Sequence, residues 1–287
     1  MKELLKIVIT MAVVLLSVVA AWGQTRRAVV IGLGEQQDAS WTKINGDRDV
    51  PLVVEMLEAN AFTDITTLVN SEATKAAIVN SITELTARAK KGDIVYIHFS
   101  GHGQRVTDVN GDEADGWDES WIPYDAYREY CAKDRGEHHL VDDELNAMLR
   151  DLRKRVGNSG SIVVVVDACH SGDSTRGDAA DADVVVRGVF DDFVIPGRHS
   201  ASTAPIEEQW LTLSACKDFQ LNQEYKGVGK LTYILTTQWR SFANRRDTEL
   251  LGEIDRLMQS REYRSRYPQS PAMSGTISNI LSKVFVR

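Results

Sequence analysis

Residues 161–172 read SIVVVVDACHSG, and this stretch decides the fold. Ser161 to Val166 is the most hydrophobic run in the body of the chain and is almost wholly β-branched. A strand with one face in water would alternate polar and apolar residues; this one does not, so it is covered on both faces, as in parallel sheets packed between helices. Working outward, Asp93 to Phe99 (DIVYIHF) and Arg27 to Leu33 (RAVVIGL) repeat the pattern, and Ile65 to Val69 and Trp210 to Ser214 supply two further short strands. Between them, Asp49–Ala59, Thr74–Ala89 and Val141–Arg155 space their apolar residues along one helical face, and helices follow near 230–242 and 248–262. Strands alternating with amphipathic helices predict a three-layer α/β/α sandwich around a mostly parallel sheet. Lys283 to Val286 is expected to close the sheet. Two stretches with little periodicity, 103–120 and 172–208, are expected to be long loops, which in a compact domain tend to be functional.

The chain has 287 residues, 43% of them hydrophobic, and a formal charge of −8. No basic run and no basic–aromatic interleaving points to nucleic acid. At the start, Lys2 and Lys6 precede an apolar run from Ile7 to Val19, and Ala21 and Gly23 place small residues where a signal peptidase reads. This predicts a signal peptide over 1–23, an exported (periplasmic, cell-surface or extracellular) chain over 24–287, and no membrane span after its removal. The alternative is a retained anchor, for which the run is short of the ~20 residues a span requires. Of the three cysteines, Cys131, Cys169 and Cys216, an odd count leaves at least one thiol free; a Cys131–Cys216 bond is open.

Sites in open α/β sheets gather beyond the carboxyl ends of the strands. The two strongest strands end in the two least ordinary local sequences, Ser100-Gly101-His102-Gly103 and Asp167-Ala168-Cys169-His170-Ser171-Gly172. If those strands are neighbours, an imidazole and a thiol share one crevice. That is the equipment of thiol acyl transfer: the thiolate attacks, and the imidazole takes and later returns a proton. Backbone N–H groups of Gly103 and Cys169 are candidate oxyanion donors. A structural cysteine, or a zinc ligand beside His170, is the alternative, but no second Cys or His lies nearby at ligand spacing.

HFSGHG at 98–103 and DACHSG at 167–172 resemble the histidine and cysteine motifs of the caspase–metacaspase superfamily of peptidases, in the form found in metacaspases and their bacterial relatives, the orthocaspases. Asp167 and His170-Ser171 depart from the Gln-Ala-Cys-x-Gly form of animal caspases. The resemblance implies a caspase-like fold and a cysteine endopeptidase with His102 and Cys169 as its dyad, needing no cofactor. It implies peptide or protein substrates with Arg or Lys at P1, the residue before the cleaved bond. By the same resemblance Asp167 and Ser100 line the S1 pocket, and Asp49 is the third pocket residue, with Asp47 a rival because this segment lacks the family's Cys and Asn. Some members need calcium, and Asp118, Asp142 and Asp143 match acidic positions used there. Read on its own, 108–119 places Asp108, Asn110, Asp112 and Glu119 as in a calcium loop but has Glu113 where glycine is required, so a solvated acidic loop is the alternative. Relatives are often cut in the region of 172–208, which offers Arg187, Arg198 and Arg176; Arg187 has Val184 to Val186 before it and Gly188 after it. Two other function classes remain: a catalytically silent caspase-like binding module, and a nucleotide-binding α/β protein, for which Gly32 and Gly34 are an incomplete glycine motif.

Overall fold

The structure, a computed structural model, describes residues 24–111, 113, 115–169, 185–189, 191–197, 208–217, 220–264, 267–275 and 280–286. The expected signal peptide, Asp112, His170 to Gly172, Arg176, Arg198 and most of 172–208 lie outside the described residues. Among the described residues, no helix is long and apolar enough to cross a membrane.

A six-stranded sheet forms the middle layer. In chain order its strands are β1 (Arg26–Gly32), β2 (Asp64–Val69), β3 (Ile94–Ser100), β7 (Ser161–Asp167), β8 (Leu211–Ser214) and β11 (Ala272–Gly275), arranged β11-β8-β7-β3-β1-β2. All pairs are parallel except β11 with β8. The helices are α1 (Gly46–Ala59), α2 (Lys75–Arg88), α3 (Asp142–Val156), α4 (Lys230–Phe242) and α5 (Asp247–Met258). Successive strand residues face opposite sides, which explains the unbroken apolar runs. Ala28, Val30, Val163 and Val165 enter a core with α1, α4 and α5, while Val29, Ile31, Ile162 and Val164 enter a second core with α2 and α3. The layers are those the sequence predicts.

Two expectations are corrected. Residues 103–120 are not a loop throughout: β4 (Gly103–Thr107) and β5 (Trp117–Trp121) form a hairpin that β6 (Leu140–Val141) extends into a small antiparallel sheet. Its inward positions include polar Gln104 and Ser120, bonded to each other's strand, so no hydrophobic alternation marks it. Lys283 to Val286 adds no strand; Leu281–Lys283 is a 3₁₀ turn, and Val284 and Phe285 bury against α4, with the Phe285 and Phe242 rings 5.7 Å apart. The sheet edge is β11 instead. The Cys131–Cys216 bond left open by the sequence is not formed, and Cys131, Cys169 and Cys216 all stand as thiols.

The site is set by where α1 begins. A Cβ on Gly46 would stand 2.5 Å from the carbonyl oxygens of both Leu33 and Ser100, and one on Gly32 would stand 2.4 Å from the Gly46 oxygen. The helix therefore starts in backbone contact with the ends of β1 and β3, which brings Asp49, one turn on, to Ser100. The glycine pair at 32 and 34 serves this packing: a Cβ on Gly34 would meet Asp47 at 2.3 Å. Gly46→Ala is expected to lower the thermal midpoint by several degrees. Gly252→Ala, mid-helix in α5 with nothing within 4 Å of an added Cβ, should gain up to about 1 kcal/mol from helix propensity. An unchanged midpoint in Gly46→Ala would contradict the contact.

Candidate active site

β3 and β7 are neighbours in register, with Ser100 opposite Asp167, so His102 and Cys169 each leave the sheet two residues beyond the same level. Both are buried. The His102 ring stacks on Trp41 at 5.1 Å, and its Nε2 donates to the Thr42 carbonyl at 2.7 Å. That contact places the proton on Nε2 and leaves Nδ1 with its lone pair; Nδ1 is buried and has no hydrogen-bond partner among the described residues. Burial lowers the pKa to about 4, with Arg187 and Arg128 acting in the same direction and the Thr42 carbonyl opposing. The imidazole is thus neutral at physiological pH and able to accept a proton. The Cys169 thiol lies 3.0 Å from the Gln220 carbonyl.

A segment of the chain itself lies against Cys169. Val185 to Arg187 runs antiparallel to Asn222–Glu224: the Arg187 N–H donates to the Asn222 carbonyl at 2.9 Å, and the Glu224 N–H donates to the Val185 carbonyl at 3.0 Å. The Cys169 N–H donates to the Arg187 carbonyl at 2.7 Å. Gly188 follows so closely that a Cβ there would stand 2.9 Å from the Cys169 Cβ and 2.5 Å from its carbonyl oxygen. Gly103, the other expected donor, opens β4 opposite Trp121.

The Arg187 side chain is wholly buried among acids. Nη1 lies 2.6 Å from one Asp49 oxygen and Nη2 3.3 Å from the other; Nε reaches Glu224 at 3.2 Å, and Asp167 stands 3.6 Å from Nη1. Asp49 also accepts from the Ser100 hydroxyl at 2.7 Å and the Gly229 N–H at 3.0 Å. Asp167 accepts from Asn222 at 2.8 Å and from the Thr232 N–H and hydroxyl at 2.8 and 2.6 Å. Burial alone would push the Asp167 carboxyl up; the Arg187 guanidinium and the Thr232 and Asn222 donors outweigh it and hold the group below its ordinary value. Of the two rivals, Asp49 is the one that meets the Arg187 guanidinium, and Asp47, in the same first turn of α1, is half-exposed.

Sequence reasoning brought Asp49, Ser100, Asp167, His102, Cys169 and Arg187 to one place. It missed Glu224, Thr232, Asn222, Gly229, Thr42 and Trp41. Gly229 admits the guanidinium, since a Cβ there would lie 2.6 Å from Arg187 Nη1 and 2.2 Å from an Asp167 oxygen. No local motif marks these residues: Thr232 is a polar position in the first turn of α4, and the others come from loops and two-residue strands.

The acidic positions form a separate group. Burial pushes the Asp142 carboxyl up to about 8, reinforced by Glu119, Asp118, Asp143 and Glu113, and its Oδ1 is buried without a hydrogen-bond partner among the described residues. Asp143 accepts from Asn110, and Asp108 is spent on a turn, accepting the N–H groups of Asn110 and Glu113 at 2.9 and 3.1 Å. Among the described residues, no group of three or more His, Cys, Asp or Glu side chains is arranged to hold a metal ion.

The fold and the paired strand ends define a caspase-like α/β protein. A Geobacter sulfurreducens protein of known structure superposes with a TM-score of 0.62 at 24% identity, covering 88% of this chain and 94% of that one. Caspase-1 from Spodoptera frugiperda superposes with a TM-score of 0.56 at 12% identity, covering 88% of each. Within that class, residues 26–176 match the metacaspase, peptidase C14 domain family, and the chain belongs to that family of cysteine peptidases. Metacaspase-1B of Aspergillus fumigatus is 41% identical over 100 residues, 34% of this chain and 22% of that protein. Metacaspase-1A of the same species is 38% identical over 103 residues, 36% of this chain and 22% of that protein. The match thus spans about a fifth of the length of these relatives.

Proposed function

We propose that this chain is an exported cysteine endopeptidase that cleaves after arginine or lysine. Cys169 is the nucleophile, His102 the general base, and Asp49, Asp167 and Ser100 form the pocket for the basic side chain. One observation carries this reading: a peptide segment already lies at Cys169 with an arginine in the acidic pocket and its carbonyl on the Cys169 N–H. His102 Nδ1 takes the Sγ proton, and the thiolate adds to the P1 carbonyl carbon. Charge then gathers on the oxygen beside the Cys169 N–H, with Gly103 the second donor; one such contact is worth ~2.7–4 kcal/mol. The C–N bond breaks as the imidazolium returns its proton to the leaving nitrogen. Water, deprotonated by His102, then cleaves the thioester. The dyad supplies the nucleophile and the proton transfers by itself. Peptide and protein substrates with a basic P1 residue are the partners, and the chain's own Arg187–Gly188 bond is the first of them. Removal of residues 1–23 as an export signal is read by N-terminal sequencing of the secreted chain; Gln24 is the expected first residue.

Fluorogenic peptides varied at P1 test the assignment. Wild type should hydrolyse Arg and Lys substrates, and Cys169→Ala and His102→Ala should each lose at least about a thousandfold in kcat, with losses that do not add. Asp167→Asn should lose about a hundredfold or more in kcat/KM, because it removes one partner of a buried charge pair. Efficient cleavage after Asp, or turnover by Cys169→Ala, would contradict the assignment.

We also propose calcium activation through Asp118, Asp142 and Asp143, supported by the crowded, raised carboxyl of Asp142. With the folded-state pKa raised above the ordinary value, the contribution of Asp142 to stability is present in acid and lost as pH rises through about 8. In chelator, Asp142→Asn should therefore be more stable than wild type at pH 8.5 and equal to it near pH 3.8. Millimolar calcium should raise the pH 8.5 thermal midpoint and the activity of wild type only. Identical midpoints and kinetics after exhaustive chelation would leave these acids a solvating role.

A further inference from the structure

The basic-side-chain pocket has a second layer of polar groups behind its carboxylates, centred on His98 of β3. The residue is fully buried. Its Nε2 lies 2.9 Å from the Ser100 hydroxyl and 3.2 Å from the Thr232 hydroxyl, and its Nδ1 lies 3.2 Å from the Tyr96 hydroxyl. Proton accounting fixes the roles. A hydroxyl has one proton to give. Ser100 gives its proton to Asp49 at 2.7 Å, and Thr232 gives its proton to Asp167 at 2.6 Å. Both hydroxyl oxygens facing His98 are therefore acceptors, so Nε2 carries a proton. Nδ1 is then bare and accepts from Tyr96.

We infer that His98 is a positioning residue for this pocket: its single Nε2–H ties together the two hydroxyls that hold Asp49 and Asp167 in place for a guanidinium. The inference rests on the peptidase reading given above. The carboxylates that meet the Arg187 fork come from different elements, Asp49 from α1 and Asp167 from the end of β7. The hydroxyls come from β3 and α4, and among the described residues His98 is the one side chain bonded to both of them. Burial lowers its pKa to about 4; Asp167 pulls the other way and Arg187 adds to the lowering, so the neutral relay persists at working pH. Without this tie each hydroxyl is free to turn, each carboxylate loses a fixed donor, and the pocket loses the spacing that a planar fork demands more than a compact ammonium does. Arginine should therefore suffer more than lysine.

The ring nitrogens of His98 in the intact Cys169→Ala chain, read by long-range ¹H–¹⁵N correlation NMR and assigned with His98→Gln, test the relay without any turnover. A protonated Nε2 and bare Nδ1 that do not titrate from pH 8 to 5 are expected; a protonated Nδ1 would overturn the inference. In wild type hydrolysing arginyl and lysyl peptides, His98→Leu should raise KM for arginine about tenfold with kcat changed less than twofold, and narrow the Arg over Lys preference. His98→Gln, whose amide offers a donor near the Nε2 position, should recover most of this. An unaltered KM and Arg/Lys ratio in His98→Leu, or a glutamine variant no better than leucine, would overturn the positioning role. If His98→Leu does not fold, Tyr96→Phe, which removes the donor to Nδ1, is read the same way and must raise KM and lower the ratio. Wild type that hydrolyses no arginyl peptide would refute the peptidase reading, while the NMR result still decides the relay.

Discussion

The guanidinium of Arg187 is wholly buried, and the site is organised around that fact. A buried charge costs several kcal/mol unless partners of opposite sign and good geometry surround it. Here Asp49, Asp167 and Glu224 do so, from the first helix, the central strand and a short strand, β9 (Glu224–Tyr225), far apart in sequence. The dependence runs both ways. Asp49 and Asp167 are themselves fully buried, and without a cation between them they would be two like charges in a dry place. On the proposed function, the interaction that holds the intact chain together at this point is also the one that, once Arg187 leaves, would call for a basic side chain from another peptide. In that proposal, stability of the uncut chain and choice of substrate rest on one contact.

The fold explains why those groups meet. Chain order passes from β1 outward to β2, then back across β1 to β3 and on to β7, so the connections diverge at the carboxyl ends of β1 and β3. Such a divergence opens a crevice at the sheet's end. α1 enters it in glycine contact with Leu33 and Ser100, β3 sends His102 into it, and β7 sends Cys169. The carbonyl of Thr42 and the ring of Trp41, both on the stretch between β1 and α1, then orient the imidazole. Each side chain of the proposed dyad is thus fixed by an element whose own position is fixed by a core on each side of the sheet.

What was legible in the sequence follows from the same physics. Buried parallel strands write continuous apolar runs, and glycine-flanked His and Cys mark where two of them end, so the sheet and the placement of His102, Asp167 and Cys169 at neighbouring strand ends could be read directly. Arg187 could be named because a basic residue after Val184 to Val186 and before glycine suits an extended backbone at a basic-specific site. Glu224 and Thr232 could not: Glu224 lies in a two-residue strand too short to show a period, Thr232 is a polar residue at the start of a helix whose apolar period marks only its core face, and the role of each exists only after folding brings β9 and α4 to the strand ends. The β4–β5 hairpin escaped because its buried positions, Gln104 and Ser120, satisfy themselves with hydrogen bonds, and Gln104 also reaches the Arg128 and Asp191 carbonyls. The C-terminal apolar residues Val284 and Phe285 were legible as an apolar run but not as the segment that follows a 3₁₀ turn and packs on α4, because so short a run fits either geometry.

The account turns on the Arg187 carbonyl lying at the nucleophile as a substrate would. Intact-mass analysis of freshly purified wild type beside Cys169→Ala measures this directly. Wild type should yield two fragments divided between Arg187 and Gly188, and Cys169→Ala should remain one uncut chain. Equal fragments from both proteins, or a wild-type chain that stays whole at this bond while cleaving added arginyl peptides, would contradict it.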